Sequence, residues 1–371
     1  MKIVLAFDSF KGSLAATEAC QAAARGVARL PDMPEVIHCP LSDGGEGFAE
    51  AMCRAGQGES VSVAVTGPIF QPVQAQLVLL EGGQTAVVES AQACGLELVP
   101  PRRRSPLDTT TTGVGELLLE ALARGARRLI IGLGGSSTTD GGIGMLAALG
   151  WQFLDAQGQT VSPVGASLAL IEQIIPGPPL DVEVELLAAC DVTNPLYGPQ
   201  GAACVYAPQK GATEEDVREL DAGLRHFAAV AAPVLGKDLA DAAGAGAAGG
   251  LGFALLACLH AQFRSGASLA IELSRLPEHL AGADLCLTGE GRTDAQTAAG
   301  KLPAAVIACC RQADVRAVCL SGALGPGWRE LYQTGAAAVI SISPGPQSLD
   351  DAIAHASDAL ADAAEAIARL I

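Results

Sequence analysis

Residues 128–149 read RLIIGLGGSSTTDGGIGMLAAL, and this stretch decides the fold class. Residues 128–133 form an apolar run that is typical of a buried strand. A loop of glycines and hydroxyl side chains, 134–142, follows it, and the apolar residues 143–149 predict a helix that ends at Gly150. A strand, a glycine-rich loop and a helix in this order predict a βα unit. The sequence therefore indicates an α/β fold.

The loop 134–142 has the chemistry of a phosphate-binding site. Glycines let the backbone approach oxyanions, N–H and hydroxyl groups donate hydrogen bonds to them, and the start of a helix favours negative charge. Asp140 adds a carboxylate that suits a magnesium ion or accepts a proton. The loop is not a Walker A motif, because no lysine follows its glycines, and it does not match the dinucleotide fingerprint. A plain glycine-rich βα turn stays open as the alternative.

The composition indicates a cytoplasmic enzyme and argues against several kinds of partner. At 371 residues the chain has room for two or three domains of about 150 residues each. The formal charge of −17 argues against nucleic acid and anionic membrane surfaces as partners. Eleven cysteines without a CxxC pair indicate buried thiols in a reducing compartment. Residues 1–7 are too short for a signal sequence, and the uncharged segment 242–263 is rich in glycine, so we expect a loop and a buried helix there rather than a membrane span.

Both ends of the chain alternate strands and helices as a parallel sheet requires. Residues 2–7 and 35–39 predict strands, each followed by a polar turn, and a helix is expected to begin with Ser13 as its N-cap. The chain is expected to close with an amphipathic helix over 349–371. Before it, three further apolar runs that precede polar turns predict parallel strands at 285–287, 315–320 and 337–342.

The middle of the chain has a different pattern. Residues 61–65 and 73–79 alternate apolar with polar or small side chains, and with 85–89 they predict an antiparallel meander. A helix is expected from Thr112, whereas 190–252 is predicted to be irregular because it is rich in glycine and proline. We therefore predict two α/β domains, one of residues 1–60 and 285–371 with a parallel sheet, and an inserted one of residues 61–284.

Four further polar clusters follow predicted strands or lie in glycine-rich turns, at residues 8–13, 42–47, 190–199 and 288–301. Each cluster alone is explained by turn formation, because Asp, Ser and Gly are common turn residues. Together they hold the groups that phosphoryl transfer requires, namely cations, carboxylates and glycines that admit phosphates. The five histidines lie outside the clusters, and we expect them to be structural.

In order and spacing, six motifs along the whole chain resemble the type I glycerate kinase family. They lie at residues 8–14, 42–47, 134–142, 190–198, 246–252 and 288–301. Phe48, Thr139, Tyr197 and Ala305 stand where that family usually has Thr, Asn, Cys and Gly, while the charged residues beside them are kept. The resemblance implies phosphorylation of D-glycerate, usually at the 2-hydroxyl, with ATP and Mg²⁺. It also implies a discontinuous Rossmann-like domain, an inserted α/β domain and an active site in the cleft between them.

The chemistry of the clusters assigns candidate roles. The catalytic candidates are Asp191, Lys11, Arg292 and Asp43, with Asp191 as the first choice of general base. Lys11, Arg292 and Lys301 are expected to bind the glycerate carboxylate and the transferring phosphate. Asp8, Ser9 and Asn194 are further candidates for binding the substrate. Magnesium ligation is expected of Asp43, Glu46, Asp191, Glu290 and Asp294. Candidates for the ATP phosphates are Gly134, Gly135, Ser136, Ser137, Thr138 and Asp140, or else Gly249 and Gly250 in the run 246–252, which alternatively is a hinge or packs tightly.

Other functions stay open at this point. A kinase that acts on the 3-hydroxyl of glycerate, or on a related small hydroxy acid, needs the same groups. A regulator that binds a sugar acid without catalysis needs the cations but not the magnesium ligands, and it normally carries a basic DNA-reading helix, which this sequence lacks. We expect D-glycerate and ATP as partners, no nucleic acid or membrane, and either a monomer or a homodimer.

Overall fold

The structure is a computed structural model that describes residues 1–42, 47–56, 58–180 and 183–371. The strands in these residues are β1 (Lys2–Phe7), β2 (Glu35–His38), β3 (Glu59–Thr66), β4 (Pro72–Leu80), β5 (Thr85–Glu89), β6 (Arg128–Gly132), β7 (Gln152–Leu154), β8 (Gln173–Ile175), β9 (Glu185–Ala189), β10 (Gln262–Arg264), β11 (Leu285–Gly289), β12 (Arg292–Thr293), β13 (Arg316–Ser321), β14 (Ala323–Leu324) and β15 (Ala338–Ser341). The α-helices are α1 (Ala16–Val27), α2 (Phe48–Ala55), α3 (Ser90–Cys94), α4 (Thr112–Ala123), α5 (Ile143–Ala148), α6 (Ala202–Tyr206), α7 (Glu214–Leu235), α8 (Ala247–Phe253), α9 (Gly266–Leu273), α10 (Leu276–Leu280), α11 (Ala295–Ala298), α12 (Leu302–Gln312), α13 (Leu331–Thr334), α14 (Leu349–Ala354) and α15 (Ala356–Ala368).

The chain divides into two compact units, and the first contains both of its ends. This unit is built on a five-stranded parallel sheet in the order β15-β13-β11-β1-β2. In β1, Ile3 pairs with Leu285 of β11 on one side and with Val36 of β2 on the other. β11 is buried along its whole length, which explains why it reads as an unbroken apolar run. The prediction that the first strand and residues 285–287 lie in one parallel sheet is confirmed.

Helices α9 and α10 also belong to the first unit, because they pack against α12. The second segment of this unit therefore begins at Gly266, whereas the sequence analysis places the corresponding boundary at residue 285. Elsewhere in the unit, α1 packs closely against α15. A Cβ atom on Gly26 of α1 would lie 1.9 Å from Ala361 O, so only glycine fits this helix crossing.

Of the residues described, the second unit contains 47–49, 58–180 and 183–265, and it is built on a six-stranded sheet in the order β10-β9-β6-β5-β4-β3. The strands β10, β9, β6 and β5 are parallel, while β5, β4 and β3 are antiparallel. The predicted meander is therefore confirmed. Phe227 of α7 packs edge-on against Phe153 and Phe253 within the apolar core of this unit.

Three predicted elements differ from the structure. α1 begins at Ala16 rather than beside Ser13, whose Oγ donates to Ile353 O instead of capping the helix. Residues 190–252 are not irregular throughout, because they contain the 22-residue helix α7, which Thr213 caps by accepting a hydrogen bond from Asp216 N. The C-terminal helix is two helices, α14 and α15, that meet at His355.

The uncharged segment 242–263 holds a loop, α8 and a π-helical turn (Ala254–Cys258). Among the residues described, none of the helices is both long enough and apolar enough to cross a membrane.

Candidate functional site

Three loops of the first unit each follow a parallel strand, and their backbones lie in contact with one another. Asp8 N donates to Gly289 O over 3.0 Å, and Gly322 N donates to Glu290 O over 3.1 Å. A Cβ atom on Gly291 would lie only 3.2 Å from Lys11 N. The loops after β1, β11 and β13 therefore lie together at the carboxyl edge of the sheet. They carry what we call the strand-end cluster: Asp8, Lys11, Glu290, Arg292 and Asp294.

The two cations of the strand-end cluster, Lys11 and Arg292, are exposed. Arg292 Nε lies 3.6 Å from Asp294 Oδ2, while Asp294 Oδ1 accepts a hydrogen bond from Gln296 N over 2.9 Å. Asp294 therefore caps α11 and also lies beside the guanidinium. Lys301, the residue before α12, donates through Nζ to Gln296 Oε1 over 3.3 Å.

Glu290 is buried below this surface and accepts hydrogen bonds from a network of hydroxyl groups. Its Oε1 accepts from Thr293 Oγ1 over 3.2 Å and from Thr297 Oγ1, and Thr293 Oγ1 is also hydrogen-bonded to Ser321 Oγ. Burial raises the pKa of Glu290, while the hydrogen bonds from the two threonines and the charge of Lys301 oppose the rise. Sequence reasoning missed the three hydroxyl residues, because single Thr and Ser residues have no characteristic spacing.

In the second unit, the loop 134–142 follows β6 as predicted, and its exposure changes along its length. Gly134 and Gly135 reach the surface, whereas 136–142 are buried. Gly135 has a φ of +63°, which glycine adopts without strain. Among the residues described, the N–H groups of Gly134, Gly135 and Ser136 have no hydrogen-bond partner. Three successive backbone donors at the exposed end of the loop are suited to an anion.

Asp140 is fully buried and supports the loop from inside. Its Oδ2 accepts from Thr111 N and Thr111 Oγ1 over 2.8 Å each, and from Gly144 N over 3.2 Å. Its Oδ1 accepts from Gly142 N over 3.1 Å. Burial raises the pKa of Asp140, and these hydrogen bonds oppose the rise. The Asp140 carboxylate thus lies at the start of α5, where the sequence analysis expected phosphate to bind.

The other hydroxyl residues of the loop face the interior of the unit. Ser137 Oγ donates to Cys94 O over 2.9 Å, and Thr138 is fully buried. Ser136 lies next to the exposed glycines, and its Oγ accepts a hydrogen bond from Lys210 Nζ over 2.9 Å. Lys210 did not emerge from the sequence, because it stands alone in the segment 207–212 without a motif around it.

The glycine run 246–252 packs against the buried part of this loop. Gly249 has a φ of +71°, and a Cβ atom there would lie 2.0 Å from Thr138 O. Gly141 N donates to Gly249 O over 3.1 Å, and a Cβ atom on Gly250 would lie 2.8 Å from Gly141 Cα. Of the interpretations that the sequence leaves open for this run, the contacts favour tight packing.

We expect Gly249→Ala to lower the free energy of unfolding by about 3 kcal/mol, because the new methyl group meets backbone that has no room to move. Gly236→Ala is the matched control, because Gly236 also has a positive φ but has open space around the added Cβ atom. Its expected cost is the left-handed backbone alone, about 1 kcal/mol. Denaturant midpoints measure both losses, and equal losses would contradict the tight packing.

Asp191 follows β9 and is exposed. β9 is the parallel neighbour of β6, with Ala189 paired to Gly132, so Asp191 and the loop 134–142 lie at the same edge of the sheet. The side chain of Asn194 is engaged elsewhere. Its Oδ1 accepts from Tyr206 OH over 2.6 Å, and its Nδ2 donates to Gln200 O over 2.7 Å.

Two predicted magnesium ligands, Asp43 and Glu46, lie outside the described residues. In the ranges that the structure does describe, His, Cys, Asp and Glu side chains form no group of three or more that suits a metal ion. Mg²⁺ bound with ATP needs only one or two protein carboxylates, because phosphates and waters complete its octahedral shell. The exposed Asp191 carboxylate fits this requirement.

Comparison with known proteins covers the whole chain. Residues 3–371 match the model of the glycerate kinase family. The chain is 44% identical over 375 residues to a glycerate kinase of Bacillus subtilis (strain 168), covering 100% of this chain and 98% of the relative. It is 42% identical to a glycerate 2-kinase of Escherichia coli (strain K12), covering 99% and 97%. A crystal structure from Salmonella typhimurium LT2, of a protein assigned as glycerate kinase 2, matches with a TM-score of 0.87 and 40% identity over 100% of this chain and 98% of that chain. This chain therefore has the α/β fold of that structure and belongs to the glycerate kinase family of phosphotransfer enzymes.

Proposed function

We propose that this protein transfers the γ-phosphoryl group of ATP to the 2-hydroxyl of D-glycerate, giving 2-phosphoglycerate and ADP. The E. coli relative, which is named a glycerate 2-kinase, supports the choice of hydroxyl. The observation that carries the proposal is the strand-end cluster, because two adjoining loops, those after β1 and β11, bring two exposed cations and three carboxylates to one edge of the sheet. A small anionic substrate with hydroxyl groups needs this combination.

Arg292 and Lys11 bind the glycerate carboxylate and the transferring phosphate in this proposal. A guanidinium donates to both oxygens of a carboxylate, and Asp294 lies beside the Arg292 guanidinium. Asp8 and Ser9 precede Lys11 in the same loop, and Ser9 N donates to Asp8 Oδ1 over 2.7 Å. This contact holds the Asp8 carboxylate at the cluster, where its remaining acceptor capacity suits a substrate hydroxyl.

The ATP phosphates bind at the exposed end of the loop 134–142. The N–H groups of Gly134, Gly135 and Ser136 are the proposed donors, together with the Ser136 hydroxyl. Ser137, Thr138 and Asp140, which the sequence analysis also assigned to ATP, instead hold the loop in place, because their side chains are buried within the unit. Gly249 and Gly250 support the loop from behind.

Asp191 is the proposed general base. In a loose phosphoryl transfer, such a residue mainly positions the hydroxyl group and accepts its proton late. Magnesium supplies charge neutralisation on the phosphates when it is bound. Its proposed ligands are Asp191 and Asp294 together with Asp43 and Glu46. Glu290 is less suited to bind magnesium, because its carboxyl group is buried and already accepts hydrogen bonds from Thr293 and Thr297.

We place this reaction in the cytoplasm. All eleven cysteines are free thiols, as a reducing compartment favours. Several of these thiols are small buried hydrophobes: burial raises the pKa of Cys20 to about 12 and that of Cys319 to about 11. Neither D-glycerate nor ATP requires a macromolecular partner.

An ADP-release assay with D-glycerate tests the proposal, and the product identifies the hydroxyl group. We expect the product to be converted directly by enolase, which uses 2-phosphoglycerate but not 3-phosphoglycerate. Lactate, which has only the 2-hydroxyl, should be a poor substrate, and 3-hydroxypropionate should release no ADP above background. Turnover of 3-hydroxypropionate, or a product that enolase ignores, would favour the 3-hydroxyl instead. Glycerate binding without any ADP release would favour a regulator.

A further inference from the structure

Lys210 is a buried cation directly below the proposed phosphate loop. Its side chain is 2% exposed, and its Nζ donates to Ser136 Oγ over 2.9 Å and to Thr138 O over 2.6 Å. It closes the 3₁₀ turn Pro208–Lys210, and the next residue, Gly211, has a φ of +98° and lies against Arg104 O. The turn and its glycine therefore fix the ammonium group under two residues of the loop.

Among the residues described, Lys210 forms no ion pair, although the buried Asp140 carboxylate lies near enough to interact with its charge. In the ranges that the structure describes, none of the carboxylates lies within ion-pair distance of its Nζ. Two groups face it from the elements packed around it, the Cys94 thiol at the end of α3 and the buried Asp140 carboxylate in the loop. The carboxylate oxygens of Asp140 already accept four hydrogen bonds, from Thr111, Gly142 and Gly144. Burying an ammonium group without a paired carboxylate costs free energy. A nearby anion would reduce this cost, which the protein alone does not fully offset.

The hydrogen bond to Ser136 also determines what that serine can offer. Since Ser136 Oγ accepts from Lys210, its own hydroxyl proton points elsewhere. Among the residues described, no acceptor receives that proton, and Ser136 adjoins the exposed Gly135. The ammonium group thus leaves a hydroxyl donor available beside the three unpaired N–H groups of residues 134–136.

We propose that Lys210 is a positioning residue for the nucleotide: its ammonium group orients the Ser136 hydroxyl towards a bound phosphate and supplies the positive charge beneath it. This inference rests on the proposed function, in which residues 134–136 receive the phosphates of ATP. Lys210 itself does not touch the substrate. It acts through Ser136 and through the field of its charge, which is little screened in a buried position.

The pH dependence of nucleotide binding follows from this position. Burial lowers the pKa of Lys210 to about 8, and the charge of the Asp140 carboxylate opposes the drop. The Cys94 thiol stays protonated in this range, because burial raises its pKa to about 12. Above pH 8, Lys210 loses its proton, and the phosphates lose the charge below the loop. The KM for ATP is therefore expected to rise between about pH 7.5 and 9.5, with little change in kcat.

The test is the steady-state kinetics of Lys210→Met, which keeps the length of the side chain and removes its charge and donors. We expect the KM for ATP to rise about tenfold or more at pH 7.5, with kcat changed by less than about threefold. The rise in KM with pH that the unmutated protein shows should be absent in this variant. Lys237→Met is the matched control, because it removes the same charge from an exposed position of the same unit. It should keep the KM and its pH dependence.

Ser136→Ala provides a second variant should Lys210→Met fail to fold. It should also raise the KM for ATP, though less than Lys210→Met does, because the charge remains. The double variant should lose little more than Lys210→Met alone, because the contribution of Ser136 depends on Lys210. Thr109→Val removes a different support of the loop, the hydrogen bond from Thr109 Oγ1 to Ser137 O, without touching the charge. It should lower the thermal midpoint and leave the pH dependence of KM intact.

A titration of ADP binding without glycerate separates this inference from the proposed function. If the unmutated protein binds ADP but does not phosphorylate glycerate, the proposed function fails, and the ADP affinities of the variants still decide the role of Lys210. If glycerate is phosphorylated while folded Lys210→Met and Ser136→Ala keep the KM for ATP and its pH dependence, the role of Lys210 is overturned.

Discussion

Asp191→Asn is expected to lower kcat by about 10²–10⁴-fold while the KM values for D-glycerate and ATP change little. The amide keeps the shape and much of the hydrogen bonding of the carboxylate but accepts no proton. A general base acts on the reacting hydroxyl and contributes little to ground-state binding, so its loss should appear in kcat. The measurement is a steady-state rate at saturating levels of both substrates.

Structural features of the second unit make this expectation specific. Asp191 follows the buried strand β9, whose parallel neighbour β6 leads into the loop 134–142, and its side chain is exposed. Asp241→Asn is the matched control, because Asp241 is an exposed aspartate of the same unit. It should keep the kcat of the unmutated protein. This comparison removes any general effect of one lost negative charge.

The magnesium dependence distinguishes the two roles that the sequence analysis assigned to Asp191. If it holds magnesium, Asp191→Asn should regain part of its kcat at high magnesium concentration, because mass action restores the weakened site. If it is the base, the loss should persist at every magnesium concentration. A kcat within about threefold of the unmutated value at ordinary magnesium would exclude both roles and make Asp43 the next candidate.

The sheets were predictable because buried strands have a recognisable apolar pattern in the sequence. Strands that are covered on both faces read as continuous apolar runs, as β1, β6 and β11 do. Polar residues directly after such runs then have to meet, since parallel strands end at one edge. This reasoning correctly brought residues 8–13 and 288–294 together. It used only local patterns and the geometry of parallel sheets.

Lys210 was not predictable by the same reasoning. It lies 74 positions along the chain from Ser136, and their contact depends on how α6 and the turn after it pack against the loop. A lone lysine in a sequence is ordinarily exposed, and periodicity says nothing about a 3₁₀ turn. Asp140 is the opposite case. A carboxylate in a glycine-rich loop looks like a ligand until its burial and its four hydrogen bonds are known.

The helix α7 was missed for a different reason. Its apolar stripe, Leu220, Leu224, Phe227 and Ala231, has helical spacing, but glycine- and proline-rich segments flank the helix on both sides. The interpretation of 190–252 rested on the composition of the whole region, which obscured the helical spacing of these apolar residues. Two of the glycines that follow the helix, Gly249 and Gly250, pack against the loop 134–142, so part of the composition that suggested irregular structure reflects close approach of backbone segments.

Arg292→Ala is expected to reduce kcat/KM for D-glycerate by about 30- to 1,000-fold, which corresponds to about 2–4 kcal/mol of lost transition-state stabilisation. The guanidinium is the strand-end group best suited to a carboxylate, because it donates two parallel hydrogen bonds. Lys11→Ala should give a loss of the same order, since Lys11 lies in the adjoining loop and supplies the second exposed cation.

These losses should not come from unfolding. The Arg292 side chain is 65% exposed, and its ion pair with Asp294, at 3.6 Å, is a surface contact worth about 0–1 kcal/mol. The thermal midpoint of Arg292→Ala should therefore stay close to that of the unmutated protein. Arg292→Lys should recover only part of the activity, because an ammonium group cannot bind a carboxylate through two parallel donors.

Arg316→Ala supplies the decisive comparison for Arg292. Arg316 is also an exposed arginine of the first unit, but it begins β13, whereas the loop that joins the strand-end cluster follows the other end of that strand. The two variants remove the same charge from opposite edges of one sheet. If the cluster binds glycerate, kcat/KM for D-glycerate should fall for Arg292→Ala alone. The loss should appear in the kinetic constants for D-glycerate rather than in the KM for ATP. If both folded variants keep the activity of the unmutated protein, Arg292 does not belong to the site. If kcat/KM falls equally in both, net charge rather than a defined carboxylate contact governs glycerate binding.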